Sequence, residues 1–367
     1  MNTVIACGGT GGHLFPGLAV AEVLRERGHE VMLFISEKEI DTLAVSNRSE
    51  FRVERLPSIG LPSPFSPAIL GFTRRFVESL SRCRKIYQAF KPHVVLGMGG
   101  FTSTAPVLAG RMRGIPTFVH ESNAIPGKAN RLTARMVRAV LLGFKECAQF
   151  FPAVRTEFTG TPIRRALTQI DQATARERFG LRTDSTTLLV MGGSQGASGI
   201  NQAMLKSLPF LRETAVQIIH LCGTRDEKVV RDAYAREQFP AFVAPFYHAM
   251  EEAYSAADLA IARSGAASLS ELAVFSLPSI LIPFPYAADD HQTRNAEIFT
   301  GREAAVLLKE SEIVDDVLAR LIRNLLGDRP RLERMGQKTR ALAPQDAAAL
   351  VVETMERYSG PNHEVRL

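Results

Sequence analysis

Short apolar runs of three to six residues recur along the chain, separated by longer stretches with helical spacing of apolar positions. In the first half they predict strands at Thr3–Ala6, Glu30–Ile35, Phe51–Leu56, Val94–Gly97, Thr117–His120 and Ala139–Leu142. The second half repeats the pattern at Thr187–Met191, Gln217–Leu221, Phe242–Ala244, Leu259–Ala262, Ser279–Ile282 and Ala304–Leu307. Strands alternating with helices predict parallel sheets covered on both faces and joined by right-handed crossovers. The fold class expected is therefore α/β, two Rossmann-like doubly wound domains facing a cleft. An N-terminal domain is expected over 1–159 and a C-terminal domain over 160–344, with a hinge at about 160–186. Beyond about Glu312 the pattern is purely helical. The segment 345–367 contains a last helix, about Gln345–Tyr358, expected to pack back on the N-terminal domain.

A strand that breaks into glycines opens both halves. Thr3-Val-Ile-Ala-Cys-Gly8-Gly-Thr-Gly-Gly-His13 leads into a helix expected from Pro16 to about Arg27, and Thr187-Leu-Leu-Val-Met-Gly192-Gly-Ser-Gln-Gly196 into one expected from Ser198 to about Leu208. Glycine lets backbone approach a ligand without a Cβ clash, and unpaired N–H groups at a helix start favour an anion. Two such turns predict phosphate cradles for a nucleotide-linked substrate. A third cluster, Gly97-Met-Gly99-Gly100-Phe101, ends another strand and supplies a further candidate anion nest. Neither of the first two turns is G-x-G-x-x-G and neither continues into Gly-Lys-Ser/Thr, so the dinucleotide fingerprint and the Walker loop are both missing.

With 367 residues, 46% hydrophobic and 22% charged, the chain has the composition of a two-domain globular protein at roughly 150 residues per domain. Cys7, Cys83, Cys147 and Cys222 show no C-x-x-C spacing, so reduced thiols are expected rather than zinc or disulfides. The first residues run directly into a strand, without the pattern of a secretory signal, and no stretch reaches the ~20 apolar residues of a spanning helix. A net charge of +6 raises the question of an anionic partner. The basic residues Arg74, Arg75, Arg82, Arg84, Lys85 and Lys91 share a segment with Leu61, Pro62, Phe65, Ile69, Leu70 and Phe72, against the single acid Glu78. That mixture predicts a segment lying on an anionic membrane surface, the alternative being a solvated basic helix over a core. Lys128, Arg131, Arg135 and Arg138 repeat at helical spacing and are expected to extend the face.

His13 closes the first turn beside a helix start, where its charged form is disfavoured, and is a candidate general base; a capping or packing role is the alternative. His120-Glu121-Ser122-Asn123 is not H-E-x-x-H, and the Asn123 amide suits a sugar hydroxyl or N-acetyl group. Arg164, in Gly160-Thr-Pro-Ile-Arg164, could reach phosphate oxygens or form a surface ion pair. In Arg263-Ser-Gly-Ala266-Ala267-Ser268-Leu-Ser-Glu271, Ser268 and Glu271 share a helical face, and Glu271 suits a ribose diol or a helix dipole. Asp289-Asp290-His291-Gln292 matches no standard metal-ligand set, which leaves Gln292 as a hydroxyl binder.

These motifs occur in order over nearly the whole chain, together with Asn295, and in that set the sequence resembles the bacterial undecaprenyldiphospho-muramoylpentapeptide β-N-acetylglucosaminyltransferases. The resemblance implies the GT-B glycosyltransferase fold and inverting transfer of N-acetylglucosamine from UDP-N-acetylglucosamine to the muramoyl 4-hydroxyl of a lipid-linked acceptor, undecaprenyl-diphospho-muramoylpentapeptide. It implies an N-terminal acceptor and membrane-facing domain and a C-terminal UDP-sugar donor domain. Ser194, Gln195 and Gly196 would hold the donor diphosphate with Arg164 nearby, Ala266, Ala267 and Ser268 would lie beside Glu271 on the ribose, and Phe246 to Met250, including Tyr247, would take the uracil partly through backbone. Thr10, Gly11, Gly12, Asn123 and Gln292 would surround the sugar. Gly12, His13, Gly99, Gly100 and Phe101 would receive the acceptor diphosphate, with His13 the candidate base. Tyr247-His248-Ala249 departs from the aliphatic and acidic residues expected there. The implied setting is peripheral, on the cytoplasmic side of the plasma (inner) membrane, with partners in cell-wall synthesis and division. No cofactor, metal or nucleic acid is implied. A UDP-hexosamine 2-epimerase of the same fold is the closest rival, and a nicotinamide oxidoreductase is disfavoured by the missing fingerprint.

Overall fold

A computed structural model describes residues 1–46, 48–57, 60, 62, 66–193, 196–344 and 346–359. The first part of the chain forms β1 (Asn2–Ala6), α1 (Gly11–Glu26), β2 (Glu30–Ser36), α2 (Glu39–Val45), β3 (Arg52–Leu56) and α3 (Ala68–Phe90). It continues through β4 (Val94–Gly97), α4 (Phe101–Met112), β5 (Thr117–Glu121), α5 (Lys128–Thr133), β6 (Ala139–Leu142) and β7 (Thr156–Phe158). The second part runs α6 (Gln172–Arg178), β8 (Thr186–Met191), α7 (Ser198–Leu211), β9 (Val216–Leu221), α8 (Glu227–Arg236), β10 (Ala241–Ala244), α9 (Met250–Ala256) and β11 (Leu259–Ala262). Then come α10 (Ala266–Val274), β12 (Ser279–Leu281), α11 (His291–Gly301), β13 (Ala305–Leu307), α12 (Val317–Leu326), α13 (Arg329–Arg340) and α14 (Ala347–Ser359).

The chain divides into two compact units, Met1–Arg164 with the chain from Pro344 onward, and Arg165–Ala343. Among the described residues each unit holds one parallel sheet, of strand order β3-β2-β1-β4-β5-β6-β7 in the first and β10-β9-β8-β11-β12-β13 in the second. Both are doubly wound. The strand order reverses beside β1 and β4 in one unit and beside β8 and β11 in the other, and ligands of such sheets bind outside the carboxyl ends of those strands. All the glycine turns picked out from the sequence leave these strands.

Alternation along β1 shows how the first unit is held. Val4 and Ala6 face a core layer with Cys83, Tyr87 and Phe90 of α3, while Ile5 faces one with Leu14, Leu18 and Leu24 of α1. The second layer is completed by Ala348, Val351, Val352 and Met355 of α14, which packs on α1. In the second unit one core layer gathers Leu188 and Val190 of β8, Ile218 of β9 and Ile261 of β11 with Ile200, Met204 and Leu208 of α7. All four cysteines are buried free thiols.

Two elements differ from the sequence reading. Strand β7 has half-buried residues throughout and only three of them, too short a run to stand out. Helix α1 begins at Gly11 rather than at Pro16, so His13 lies inside the first helical turn. Proline marks the first turn of many helices because its missing N–H costs nothing there. Here Pro16 sits one turn further in and leaves only the Gly12 carbonyl without its helical donor.

Candidate active site

In the first unit the turns after β1 and β4 meet through His13. A Cβ on Gly99 would lie 3.0 Å from His13 Nε2 and 3.3 Å from Asn130 Nδ2, and one on Gly100 would lie 3.3 Å from His13 Cε1. Both glycines have positive φ, +105 and +71, so the ring rests on backbone that no other residue would leave open. His13 Nδ1 is 3.1 Å from Thr10 Oγ1. Burial of the ring holds its pKa down at about 4, with Asp41 pushing it up and Lys38 pushing it down, so the imidazole is neutral near pH 7.

Behind this ring stands a buried frame. Glu121 Oε1 accepts from the Asn123 backbone N–H at 2.9 Å and from Asn123 Nδ2 at 3.3 Å. Its Oε2 accepts from Gly127 N at 2.9 Å and Asn130 Nδ2 at 2.8 Å. Burial raises the Glu121 pKa although all four donors favour the carboxylate. His120 Nε2 lies 2.9 Å from the Gly160 carbonyl, and burial brings its pKa to about 4. Thus Glu121 fixes Asn123 and Asn130 rather than facing a ligand itself. Arg164 is half-buried, its guanidinium 5.4 Å from the ring centroid of Phe15 of α1. Phe101 opens α4 and packs edge-on to Phe72 of α3, 6.0 Å between centroids.

In the second unit a cavity of about 910 Å³ opens at the carboxyl ends of β8 and β11. It is lined by Gly193, Gly196 and the first turn of α7, by Arg263, Gly265 and Ser268, and by Phe284, Tyr286 and Gln292. Gly196, at φ +74, passes so close to the Cys222 carbonyl that a Cβ there would overlap it, whereas no atom of the described residues stands within 4 Å of a Cβ on Gly193. The N-terminus of the fourteen-residue helix α7 opens onto the cavity, and the unpaired N–H groups of a helix start favour an anion. Gln292 lines the cavity, and its Oε1 accepts from Phe284 N at 2.9 Å. Arg263 is buried and donates to the carbonyls of Ile282 and Pro283 at 3.0 and 2.9 Å and to Glu310, tying together the ends of β11, β12 and β13.

Of the residues expected on the donor, Gly196, Ser268 and Gln292 line this cavity. Glu271 stands one turn beyond Ser268 and accepts from the Tyr254 hydroxyl at 2.6 Å. Ala266 and Ala267 open α10, and Met250 opens α9. The Tyr247 ring is committed elsewhere, 4.9 Å from Phe179 and 5.8 Å from Phe242, with its hydroxyl donating to Glu252. Only its backbone is left for a ligand. Ser194 and Gln195 lie outside the described residues.

Sequence reasoning missed Arg225, Asp226 and Glu310, which also line the cavity. Asp226 accepts from Ser198 Oγ at 2.5 Å and Asn201 Nδ2 at 2.8 Å, bonds that lower its pKa. Their signal was position: Arg225 and Asp226 follow β9, and Glu310 follows β13, all at carboxyl ends of strands.

The basic segment is corrected in part. Helix α3 presents Ile69, Leu70 and Val77 to solvent with Arg74, Arg75, Arg84 and Lys85, Leu70 being 77% exposed. Phe72 instead turns inward on Phe76 and Phe101, and Arg82 pairs with Glu54 at 3.2 Å. Leu61 and Phe65 lie outside the described residues. The second basic row does not form one helical face, because α5 ends at Thr133 and Arg138 lies beyond it, half-buried and donating to the Tyr358 carbonyl. Arg131 donates to the Pro126 carbonyl and lies over Phe150. No described helix is long and apolar enough to cross a membrane.

The family model of the glycosyltransferase family 28 N-terminal domain matches residues 3–142, and that of the family 28 C-terminal domain matches residues 187–351. The chain belongs to glycosyltransferase family 28. Within the family, the UDP-N-acetylglucosamine–N-acetylmuramyl-(pentapeptide) pyrophosphoryl-undecaprenol N-acetylglucosamine transferase of Geobacter sulfurreducens is 40% identical over 360 residues, 97% of this chain and 98% of the relative. The Myxococcus xanthus protein of the same name is 38% identical over 380 residues, covering all of this chain and 96% of the relative. The crystal structure of Acinetobacter baumannii MurG matches with a TM-score of 0.79 at 28% identity, covering 97% of this chain and 99% of that one. A UDP-GlcNAc 2-epimerase from Neisseria meningitidis bound to UDP-GlcNAc matches at 0.67 with 14% identity, over 97% of this chain and 100% of that one. That likeness is one of fold. A family 28 chain with two parallel-sheet α/β units is a GT-B glycosyltransferase, as the motifs predicted.

Proposed function

We propose that the chain transfers N-acetylglucosamine from UDP-N-acetylglucosamine to the muramoyl 4-hydroxyl of undecaprenyl-diphospho-muramoylpentapeptide, the step that forms lipid II for peptidoglycan. The observation that carries this reading is full-length identity of 40% to a transferase of that name, with a helix-capped cavity in the unit where the donor is expected.

The donor diphosphate sits on the Gly192–Gly196 turn and the α7 N-terminus, its ribose on Glu271 beside Ser268, and its uracil on the backbone of the Phe246–Met250 stretch. Gln292 offers its NH₂ group to a sugar hydroxyl. From the first unit Thr10, Gly11, Gly12 and Asn123 serve the sugar, Arg164 the phosphates, and Gly12, Gly99, Gly100 and Phe101 the acceptor diphosphate.

As transfer proceeds the acceptor oxygen forms its bond to the anomeric carbon from the face opposite UDP. The bond to the phosphate oxygen breaks with its electron pair, and the hydroxyl proton passes to His13 Nε2. For Nε2 to accept it, Nδ1 carries the ring hydrogen and donates to Thr10 Oγ1, within the 3.1 Å between them. The α7 dipole stabilises the charge developing on UDP, and single displacement inverts the anomeric centre.

Exposed Ile69, Leu70 and Val77 among the cations of α3 support peripheral attachment of this face to an anionic leaflet, the cytoplasmic side of the plasma membrane, where the acceptor's polyprenyl tail lies.

The test is transfer of labelled N-acetylglucosamine from UDP to a muramoyl-diphospho-polyprenol, with the product's anomeric configuration read by NMR. Conversion of the donor alone to its 2-epimer, without acceptor, would instead establish the epimerase. In the same assay His13→Ala is expected to lower kcat by about 10²–10⁴-fold with donor KM near the parent value.

A further inference from the structure

The connection from β2 to α2 forms a platform beneath the first glycine turn. The Gly8 backbone lies against Ile35 and Ser36 so closely that no Cβ fits between them. Gly9 N donates to Asp41 Oδ2 at 2.7 Å, and Lys38 Nζ donates to the Gly9 carbonyl at 2.7 Å. Gly9 is thus clamped at both its N–H and its carbonyl while its φ stands at +113. The next residue, Thr10, is the one whose Oγ1 meets His13 Nδ1. A continuous chain runs from Asp41 through Gly9 and Thr10 to the imidazole.

Asp41 is fully buried. Its Oδ2 accepts from Gly9 N, Ser36 N at 3.1 Å and Ser36 Oγ, while its Oδ1 meets no donor among the described residues. A buried carboxylate oxygen left unpaired is costly, and an asparagine could satisfy the same three donors without burying a charge. The position therefore holds more charge than the turn's hydrogen bonds require.

We propose that Asp41 is a positioning residue for the transfer, fixing the Gly9–Thr10 backbone so that His13 keeps Nδ1–H toward Thr10 and Nε2 free, with its negative charge behind the ring as the proton arrives. This rests on His13 being the proton acceptor. The charged and titratable groups acting on the ring are Asp41, which favours imidazolium, and Lys38 and His120, which oppose it.

Two substitutions separate position from charge. Asp41→Asn keeps an oxygen for the three donors and removes the charge, whereas Asp41→Ala removes the clamp. Asp41→Ala is expected to lower kcat by roughly 10²-fold, as small displacements of catalytic groups do, and to raise donor KM as well, because the Thr10 backbone it releases also serves the donor sugar. Asp41→Asn is expected to recover most of that loss and to move the acid limb of the kcat profile to lower pH. Ring ¹⁵N shifts of His13 provide a readout independent of turnover: the Nδ1–H tautomer should dominate in the parent and in Asp41→Asn, and the tautomers should mix in Asp41→Ala. Where Asp41→Ala fails to fold, the His13 titration point in Asp41→Asn decides: a downward shift supports the proposal and an unchanged one overturns it. A folded Asp41→Ala with parent kcat and parent ring shifts also overturns it. Normal turnover by His13→Ala would remove His13 as base and leave the ring-shift result to judge the positioning by itself.

Discussion

The Tyr254 hydroxyl donates a 2.6 Å hydrogen bond to Glu271 Oε2, so a buried residue of α9 sets the carboxylate that α10 carries one turn beyond Ser268. Glu271→Ala removes a charged acceptor worth about 1.5–3 kcal/mol, and donor KM should rise by a factor of ten or more on that scale. Tyr254→Phe leaves the carboxylate but releases its aim, and a rise of about fivefold is expected from a bond of about 1 kcal/mol. An unchanged donor KM in both variants would remove the ribose assignment.

Two neighbouring glycines should respond differently to the same methyl group. Gly193→Ala meets no described neighbour and carries the strain of φ +90, about 1–2 kcal/mol, so the protein should fold with a modest loss of Tm. Gly196→Ala carries strain at φ +74 and also runs into the Cys222 carbonyl, so the turn must shift. Gly193→Ala should keep most of the parent Tm, and Gly196→Ala should lose considerably more. Equal behaviour of the two would show that the turn is not held by that contact.

Acid should destabilise the second unit through His220. Its Nδ1 is 3.0 Å from the Tyr234 hydroxyl and its Nε2 3.0 Å from Asn201 Oδ1, and burial lowers its pKa to about 3. Unfolded histidine titrates near 6.5, so between about pH 6.5 and 3 the unfolded chain binds a proton that the native protein refuses. The contribution is whole above pH 6.5 and is lost progressively as pH falls toward 3. His120, at about 4, acts in the same direction. Tm measured from pH 7 to pH 4 should fall, and less steeply in His220→Gln, whose amide can replace the two hydrogen bonds without titrating. A Tm slope equal to the parent's would contradict this.

On α3, Arg74, Arg75 and Arg84 are exposed, whereas Arg82 is engaged with Glu54. Each free cation near an anionic surface is worth about 1 kcal/mol. Replacing those three by glutamine should release the protein from anionic vesicles in sedimentation and slow transfer to a long-chain acceptor, with a short-chain soluble acceptor spared. Arg82→Gln alone should have a smaller effect on vesicle binding. Vesicle binding unchanged in the triple variant would return α3 to an ordinary solvated helix.

The sheets were legible because their strands are buried on both faces and read as unbroken apolar runs, as in Val4-Ile5-Ala6 and Leu188-Leu189-Val190. The glycine turns were legible because few residues tolerate their geometry. Long-range partners were not. Nothing around Asp41 announces that it reaches Gly9, and nothing local to Tyr254 points to Glu271; both contacts exist only once the strands are ordered. Arg82 and Arg138 read as free cations because their partners, Glu54 and the Tyr358 carbonyl, lie 28 and 220 positions away. Phe72 looked like a membrane residue until the fold set Phe101 against it.

Because α14 completes the core layer beside α1, the order in which the ribosome delivers the chain matters. The first unit must wait, with the face of Leu14, Leu18 and Leu24 lacking Val351, Val352 and Met355, until all of Arg165–Ala343 has been made. The second unit is continuous in sequence and owes no helix to a later segment, so it has everything needed to close first. The first unit alone must wait for a segment made after the whole of its neighbour. Loss of α14 (Ala347–Ser359) would then remove the keystone of the unit made earliest, exposing apolar surface of the sort that drives aggregation during synthesis.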